Sequence, residues 1–249
     1  MRKLLFVLAL SCLAAPAVAD PRPWTFTYDL YSEGKGNWEY EQWVTWKTDK
    51  KAEKGYDRVE FRHEFEVGLA DNFDLALYLP NWHVENSDKF TGSRFDSIGL
   101  EAIVYLLNPV TDPVGVGLYA EVSVGDKEIE FEQKLLIQKD VGRWAFAYNL
   151  ILETELEREG SEIEVEGKLA HALAASYSLG KNWQLGAEMT VASEYERWSK
   201  YEGTTVYGGP AVGFQAGRFW ATLTAMRQLS NHDDQPDFQL RLIAAVLFH

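Results

Sequence analysis

The stretch "SYSLGKNWQLGAEM", Ser176 to Met189, decides how this chain reads. It holds a tight turn at Gly180-Lys181-Asn182, then an aromatic, then strict alternation of apolar and polar residues. The same phrase recurs as "VGLADNFDLALYL" (Val67–Leu79), "QKDVGRWAFAYNL" (Gln138–Leu150) and "GFQAGRFWATLTA" (Gly213–Ala225). Period-two alternation after a short turn is the signature of antiparallel strands joined as hairpins.

Working outward from these phrases, alternation predicts twelve strands, at 38–48, 56–69, 73–84, 96–107, 113–124, 127–138, 143–156, 162–179, 183–195, 204–216, 218–230 and 237–248. Residues 24–33 ("WTFTYDLYSE") also alternate, but "EGKGN" follows. An even strand number suits a closed antiparallel sheet, so 20–37 is read as an N-terminal lead segment and 38–249 as the barrel. "ADN", "NPVTDP", "KDVGR", "GKN" and "AGR" are short turns. "TDKKAEKGYD", "ENSDKFTGSR", "EREGSE", "ERWSKYEGT" and "SNHDDQPD" are longer and charged, and only "GDK" at 125–127 breaks the alternation. Short turns at one end and longer loops at the other are the pattern of a bacterial outer-membrane barrel, with periplasmic turns and extracellular loops. The expected fold class is therefore all-β, a closed antiparallel transmembrane β-barrel.

Trp38, Phe73, Trp144, Trp183 and Phe219 each begin a strand leaving the short-turn side. On a barrel they share one height, where a bulky ring suits the membrane interface. Beyond each, the same face stays apolar: Leu75, Leu77 and Leu79; Phe146, Tyr148, Leu150 and Leu152; Leu185, Ala187, Met189 and Val191; and Phe238, Leu240, Leu242, Ala244, Val246 and Phe248. A secreted β-sandwich would alternate too. It would not place its aromatics at strand ends, nor carry so many small residues (Gly115, Gly117, Ala145, Ala147, Gly186, Ala211, Gly213) on the other face.

Residues 1–19 read as a signal peptide that is removed. Arg2 and Lys3 precede a short apolar run, Leu4–Leu10, and Ala17-Val18-Ala19 forms a small-x-small cleavage site before Asp20. Cleavage would remove Cys12, the only cysteine, and with it any disulfide or thiolate metal site. The net charge of −14 makes nucleic acid an unsuitable partner, because phosphate binding requires positive charge. Expected partners are outer-membrane lipid and lipopolysaccharide, the barrel-assembly machinery, and small solutes or cations.

The chain as a whole resembles a small Gram-negative outer-membrane β-barrel. "GNWEYEQWVT" at Gly36–Thr45 resembles transporters of the phenol-degradation (MetA-pathway) type over that stretch alone. Such barrels end on an aromatic; here Phe248 is penultimate and His249 follows.

With the aromatics phased outward, the inward parity carries many more acids than bases. Glu101, Glu121, Glu132, Glu166 and Glu188, opposed by Arg62 and Arg241, are the candidate pore-lining residues. The surplus of carboxylate points to a passive, cation-preferring pore or small-solute transporter. The alternative is a closed structural or lipid-interacting barrel whose lumen is plugged, since twelve strands lie between filled and open sizes. A third reading, an outer-membrane lipid hydrolase, needs a converging Ser–His pair. His171 with Ser193 and Asn149, His83 with Ser87, and His232 with Ser230 assemble no such set, so no catalytic residue is assigned. No cofactor fingerprint or calcium-loop spacing is present, and no metal or cofactor is expected. "GGPAVGFQAG" (Gly208–Gly217) has no helix after it and reads as a bent strand.

Overall fold

A computed structural model describes residues 22–248, so the expected signal peptide and His249 lie outside the described residues. Fourteen strands follow one another: β1 (Trp38–Lys50), β2 (Asp57–Ala70), β3 (Phe73–Tyr78), β4 (Trp82–Asn86), β5 (Thr91–Phe95), β6 (Ser97–Leu107), β7 (Gly115–Gly125), β8 (Glu128–Val141), β9 (Trp144–Glu159), β10 (Glu162–Ser178), β11 (Trp183–Glu196), β12 (Lys200–Ala216), β13 (Phe219–Gln228) and β14 (Pro236–Phe248). Each pairs antiparallel with its neighbours, and β1 pairs with both β2 and β14, so the sheet closes on itself.

The ring has twelve staves. Two of them are broken. β3 and β4 both pair with β2 but are separated by Leu79-Pro80-Asn81, and β5 and β6 are separated by Asp96. Pro80 has no N–H to give to a ladder, which accounts for the interruption. Asn81 bridges it through two main-chain bonds, donating its N–H to Ser97 O at 2.7 Å and accepting the Asp96 N–H at 2.8 Å. Beyond the break, β4 and β5 form a hairpin that stands above the ring. Much of "ENSDKFTGSR", "EREGSE" and "ERWSKYEGT" is thus strand rather than loop, because paired backbone carries β9–β12 past the apolar band.

The exterior is the apolar face. Leu77, Leu100, Leu118, Phe131, Phe146, Leu152, Leu173, Leu185, Met189 and Leu242 are exposed on alternate positions, while Glu39, Glu41, Glu64, Glu101, Glu121 and Glu188 are buried on the other parity. Trp38, Trp144, Trp183 and Phe219 are exposed at the short-turn end, with Phe73 half-buried in the same tier. At the seam, Trp38 stands opposite Phe248, their rings stacked 3.9 Å apart and 9° from parallel. A second aromatic tier lies toward the long-loop end: Trp46 donates to Asp57, and Trp198 donates to Thr154 Oγ1 at 3.0 Å.

Candidate functional site

The lead segment, residues 22–37, forms no strand of the ring and lies inside the barrel. It bends at 25–27 and doubles back, so it forms a strap within the short-turn half of the lumen. Trp24 packs on Ala145, Ala147 and Ala211, near the start of β9. Thr25 and Phe26 reach deeper, to Glu188 and Thr224. Leu30 and Tyr31 return to Gln138 and Asp140, beside the 142–143 turn, and Glu33 meets Asp74 at the foot of β3. The strap thereby touches β1, β3, β6, β7, β8, β9, β11, β13 and β14, which only an occupant of the lumen can do.

The wall holds the strap largely by its main chain. Glu188 accepts the N–H groups of Thr25 and Phe26, each at 2.8 Å, and the Thr224 hydroxyl at 2.6 Å. Asn149 accepts the Tyr28 N–H at 2.7 Å and donates to the Tyr28 carbonyl at 3.1 Å. Gln138 accepts the Leu30 N–H at 2.7 Å, and Asp74 the Glu33 N–H at 3.0 Å. Thr222 donates to Arg22 O at 2.6 Å, and Arg241 to Thr25 O at 3.1 Å. A segment buried away from the sheet must find partners for its backbone, and these side chains supply them.

Around this polar seat the lumen has an apolar core. Tyr28 and Leu30 pack with Trp43, Ile103, Tyr119, Leu136, Trp220, Ile243, Ala245 and Leu247. The small inward residues make the space. A β-carbon on Gly117 would lie 2.4 Å from Leu30 Cδ2, and one on Gly68 would lie 2.0 Å from the carbonyl oxygen of Gly34. Between strap and wall, a chamber lined by Arg22, Glu33, Glu39, Glu41, Glu66 and Tyr105 measures about 30 Å³. Burial pushes the Glu33 carboxyl up to about 8, with the Asp74 carboxylate acting in the same direction.

The residues singled out in the sequence fall into three places. Glu101, Glu121 and Arg62 meet in one buried cluster. Glu101 accepts from Tyr78 and, at 3.2 Å, from Tyr28; Glu121 accepts from Arg62 and Tyr119 at 2.5 Å each and from Ser123 at 2.7 Å. The Arg62 guanidinium lies 3.5 Å over the Tyr78 ring, and the Lys134 ammonium 3.8 Å over both Tyr28 and Tyr119. Glu188 and Arg241 sit against the strap, Arg241 lying 4.0 Å over the Phe26 ring. Glu132, paired with Lys134 at 2.6 Å and opposite Glu121, borders the first cluster, and Glu166 stands apart, toward the long-loop end.

That end of the lumen is open. A bowl of about 800 Å³ is lined by Arg58, His83, Arg94, Asp96, Glu128 and Glu157, among others. A smaller recess of about 160 Å³ lies among Glu153, Glu155, Glu166, Lys168, Glu194 and Glu202. Carboxylates face one another directly across strands: Glu121, Glu132 and Glu153 in one row, Glu130, Glu155 and Glu166 in the next, Glu128, Glu157 and Glu164 in a third. Like charges directly opposite one another oppose pairing; in the first row Arg62, Lys134 and Lys168 each pair with one carboxylate, and the other two rows rely on water and counter-ions.

Sequence reasoning passed over the strap's principal holders. Asn149 entered only as a third member of a triad, and Gln138 and Asp74 not at all. For Asn149 the signal was a lone uncharged polar residue on the inward face after Ala145 and Ala147; Gln138, between Leu136 and Asp140, carried no comparable signal. The candidate hydrolase pairs are engaged elsewhere. His171 Nδ1 lies 2.8 Å from the Tyr148 hydroxyl, and Ser193 Oγ 2.7 Å from Thr204 Oγ1. His83 Nδ1 lies 2.6 Å from Asp96, and Ser87 donates to Glu53 at 2.6 Å. Among the described residues, no cluster of histidine, cysteine or carboxylate could hold a metal ion.

A family model described as a family of unknown function, DUF6662, matches residues 16–243. The chain belongs to this family. No curated protein matches it. Among solved structures, the COG4313 outer membrane channel from Pseudomonas putida F1 is similar over 88% of this chain and 98% of that one, at 12% identity and a TM-score of 0.67. The NanC porin is similar over 84% of this chain and 99% of that one, at 8% identity and a TM-score of 0.58. At such identities the likeness establishes for this DUF6662 member the fold, a closed barrel of the kind found in outer-membrane channels.

Proposed function

We propose that this DUF6662 protein is an outer-membrane barrel acting as a passive pore or transporter for small solutes, with a preference for cations. The observation that carries the reading is the divided lumen: a wide bowl of mixed charge and an acidic recess, both at the long-loop end, above a short-turn half filled by the protein's own strap. In this reading the rows of glutamate, Glu132 and Glu166 among them, gather cations at the mouth. Glu101, Glu121, Glu188, Arg62 and Arg241 line the path at the depth where the strap lies, and passage requires the strap to shift. Trp38, Phe73, Trp144, Trp183 and Phe219 anchor the barrel at the periplasmic interface. Lipid and lipopolysaccharide surround it, and the assembly machinery inserts it after export by the signal peptide. The similarity to a channel and a porin supports the reading, as does the resemblance of Gly36–Thr45 to transporters of the phenol-degradation type. No catalysis is assigned.

A second reading, a closed structural barrel, is favoured by the filling of the short-turn half down to a chamber of about 30 Å³. Planar-bilayer recordings under a potassium chloride gradient separate the two. The pore reading expects unitary currents with a reversal potential on the cation side, moved toward zero by Glu130→Gln/Glu155→Gln/Glu166→Gln. Silence from both the native protein and a strap-loosened variant would leave the closed barrel standing; anion selectivity would end the proposed preference.

A further inference from the structure

The seat of the strap has a regularity that plugging alone does not require. Wall acceptors take the main-chain N–H of Phe26, Tyr28 and Leu30, which are alternate residues along the chain. They come from different staves: Glu188 on β11, Asn149 on β9 and Gln138 on β8. Asn149 also donates to the carbonyl of Tyr28, so it meets one residue as a neighbouring strand would. The bend at 25–27 sits on Glu188, and the chain runs on from Tyr28 without a further bend, so the Tyr28 and Leu30 N–H groups lie on one edge; reading such an edge is how a sheet recognises an added strand. Here side chains perform the reading, inside the barrel.

The contrast with the strap's own side chains sharpens the point. Trp24 Nε1 and Thr25 Oγ1 are buried without a hydrogen-bond partner, while the N–H groups of Thr25 and Phe26 beside them both reach Glu188. Most of the polar contacts fall on backbone that nearly every residue shares, beside side-chain bonds from Arg22 to Glu41, Tyr28 to Glu101, Tyr31 to Asp140 and Ser32 to Asp74. The side chains contribute shape: Trp24 fills a floor of Ala145, Ala147 and Ala211, and Leu30 fills the space over Gly117.

We infer that Glu188, Asn149 and Gln138 form a binding track for extended peptide, of which the strap is the resident occupant. Its ligand class is an unprotected main chain that bends where Glu188 holds it and presents alternate N–H groups beyond that bend, with an aromatic side chain for the alanine floor. A second peptide of this kind competes with the strap for the track. The inference concerns binding and holds whether or not solutes pass through the barrel.

The test uses the full-length chain with Trp24→Ala, Tyr28→Ala and Leu30→Ala, which loosens the strap and leaves the wall untouched. Folding is checked by heat-modifiable gel mobility. A labelled synthetic peptide with the sequence of residues 22–33 is titrated into the detergent-solubilised protein and followed by fluorescence anisotropy. A second peptide carries N-methyl groups at the positions of Phe26, Tyr28 and Leu30, which removes the three donors and keeps every side chain. The track predicts at least tenfold weaker binding of the methylated peptide, and loss of the difference in Glu188→Ala/Asn149→Ala/Gln138→Ala. Equal binding of the two peptides, or none by either, overturns it. Should the loosened chain fail to fold, hydrogen exchange on the native protein decides: the amides of Phe26, Tyr28 and Leu30 must exchange at least a hundredfold slower than in the free peptide, and free-peptide rates overturn the track.

Discussion

Glu188 and Thr25, 163 positions apart in the chain, are joined by a hydrogen bond of 2.8 Å inside the barrel. The same carboxylate holds Phe26, so one wall residue fixes the bend at which the strap turns back. Replacing Glu188 by alanine leaves two buried N–H groups without acceptors, at a cost of about 2–4 kcal/mol to strap seating. Glu188→Ala is therefore expected to raise exchange rates at Thr25 and Phe26 by roughly 30-fold or more on that cost, with the barrel's gel mobility unchanged.

Gly117 tests the fit of the same segment from below. A leucine there would collide with Leu30, whose Cδ2 already lies 2.4 Å from where a β-carbon would stand. Gly117→Leu is expected to expel the strap's returning leg, read as proteolytic cleavage within 24–33 in a barrel that still shows heat-modifiable mobility. Gly117→Ala, the smaller change, should give a partial effect. Full protection in both variants would place Leu30 elsewhere.

The strap also carries a pH dependence. Glu33 has its pKa pushed up to about 8 when seated, by burial first and by Asp74 second, against an ordinary value of 4.5. The seated strap thus holds a proton that a released one gives up. Seating is fully favoured below about pH 4.5 and is weakened as the pH rises through 8. Protease sensitivity of the strap should increase from pH 5 to pH 9, and Glu33→Gln should flatten that profile.

The barrel's phase is testable on its outer wall. Met189→Arg, on the exposed apolar face six residues beyond the interfacial Trp183, is expected to cost roughly 2–4 kcal/mol. The measurement is reversible urea unfolding in lipid vesicles. An inward arginine such as Ala192→Arg, facing the carboxylates, should cost far less.

At the seam, Trp38→Ala removes the ring stacked on Phe248. The loss is about 1–3 kcal/mol, combining the stacking term with buried area. It should appear as a lower temperature for the heat-modified gel shift, with no change in strap protection.

The staves were legible because a two-residue period survives wherever one face is oily and the other is not. The strand ends from 38 to 248 follow that alternation closely, and the breaks at Pro80 and Asp96 are the points where a proline and a hairpin interrupt it. The aromatic tier was legible for the same reason. What alternation could not express was the destination of "WTFTYDLYSE": a strap lining a lumen and a strand in a wall have the same pattern. Nor does a sequence distinguish a carboxylate facing water from one facing amide groups. Glu188 and Glu166 looked alike, yet one is buried against Thr25 and the other lies in an open recess. Ile243, Ala245 and Leu247, apolar on both faces of the last stave, were the overlooked sign that part of the interior is dry.

The strap runs directly into β1, and β1 is the stave that zips to β14 at the seam. The cylinder therefore shuts with its own beginning already threaded through it, or else that beginning must slip in afterwards past a finished rim. In the first case the N-terminal thread serves as a mandrel for biogenesis, a form around which the last hairpin wraps, and the order of events is written into the connectivity itself.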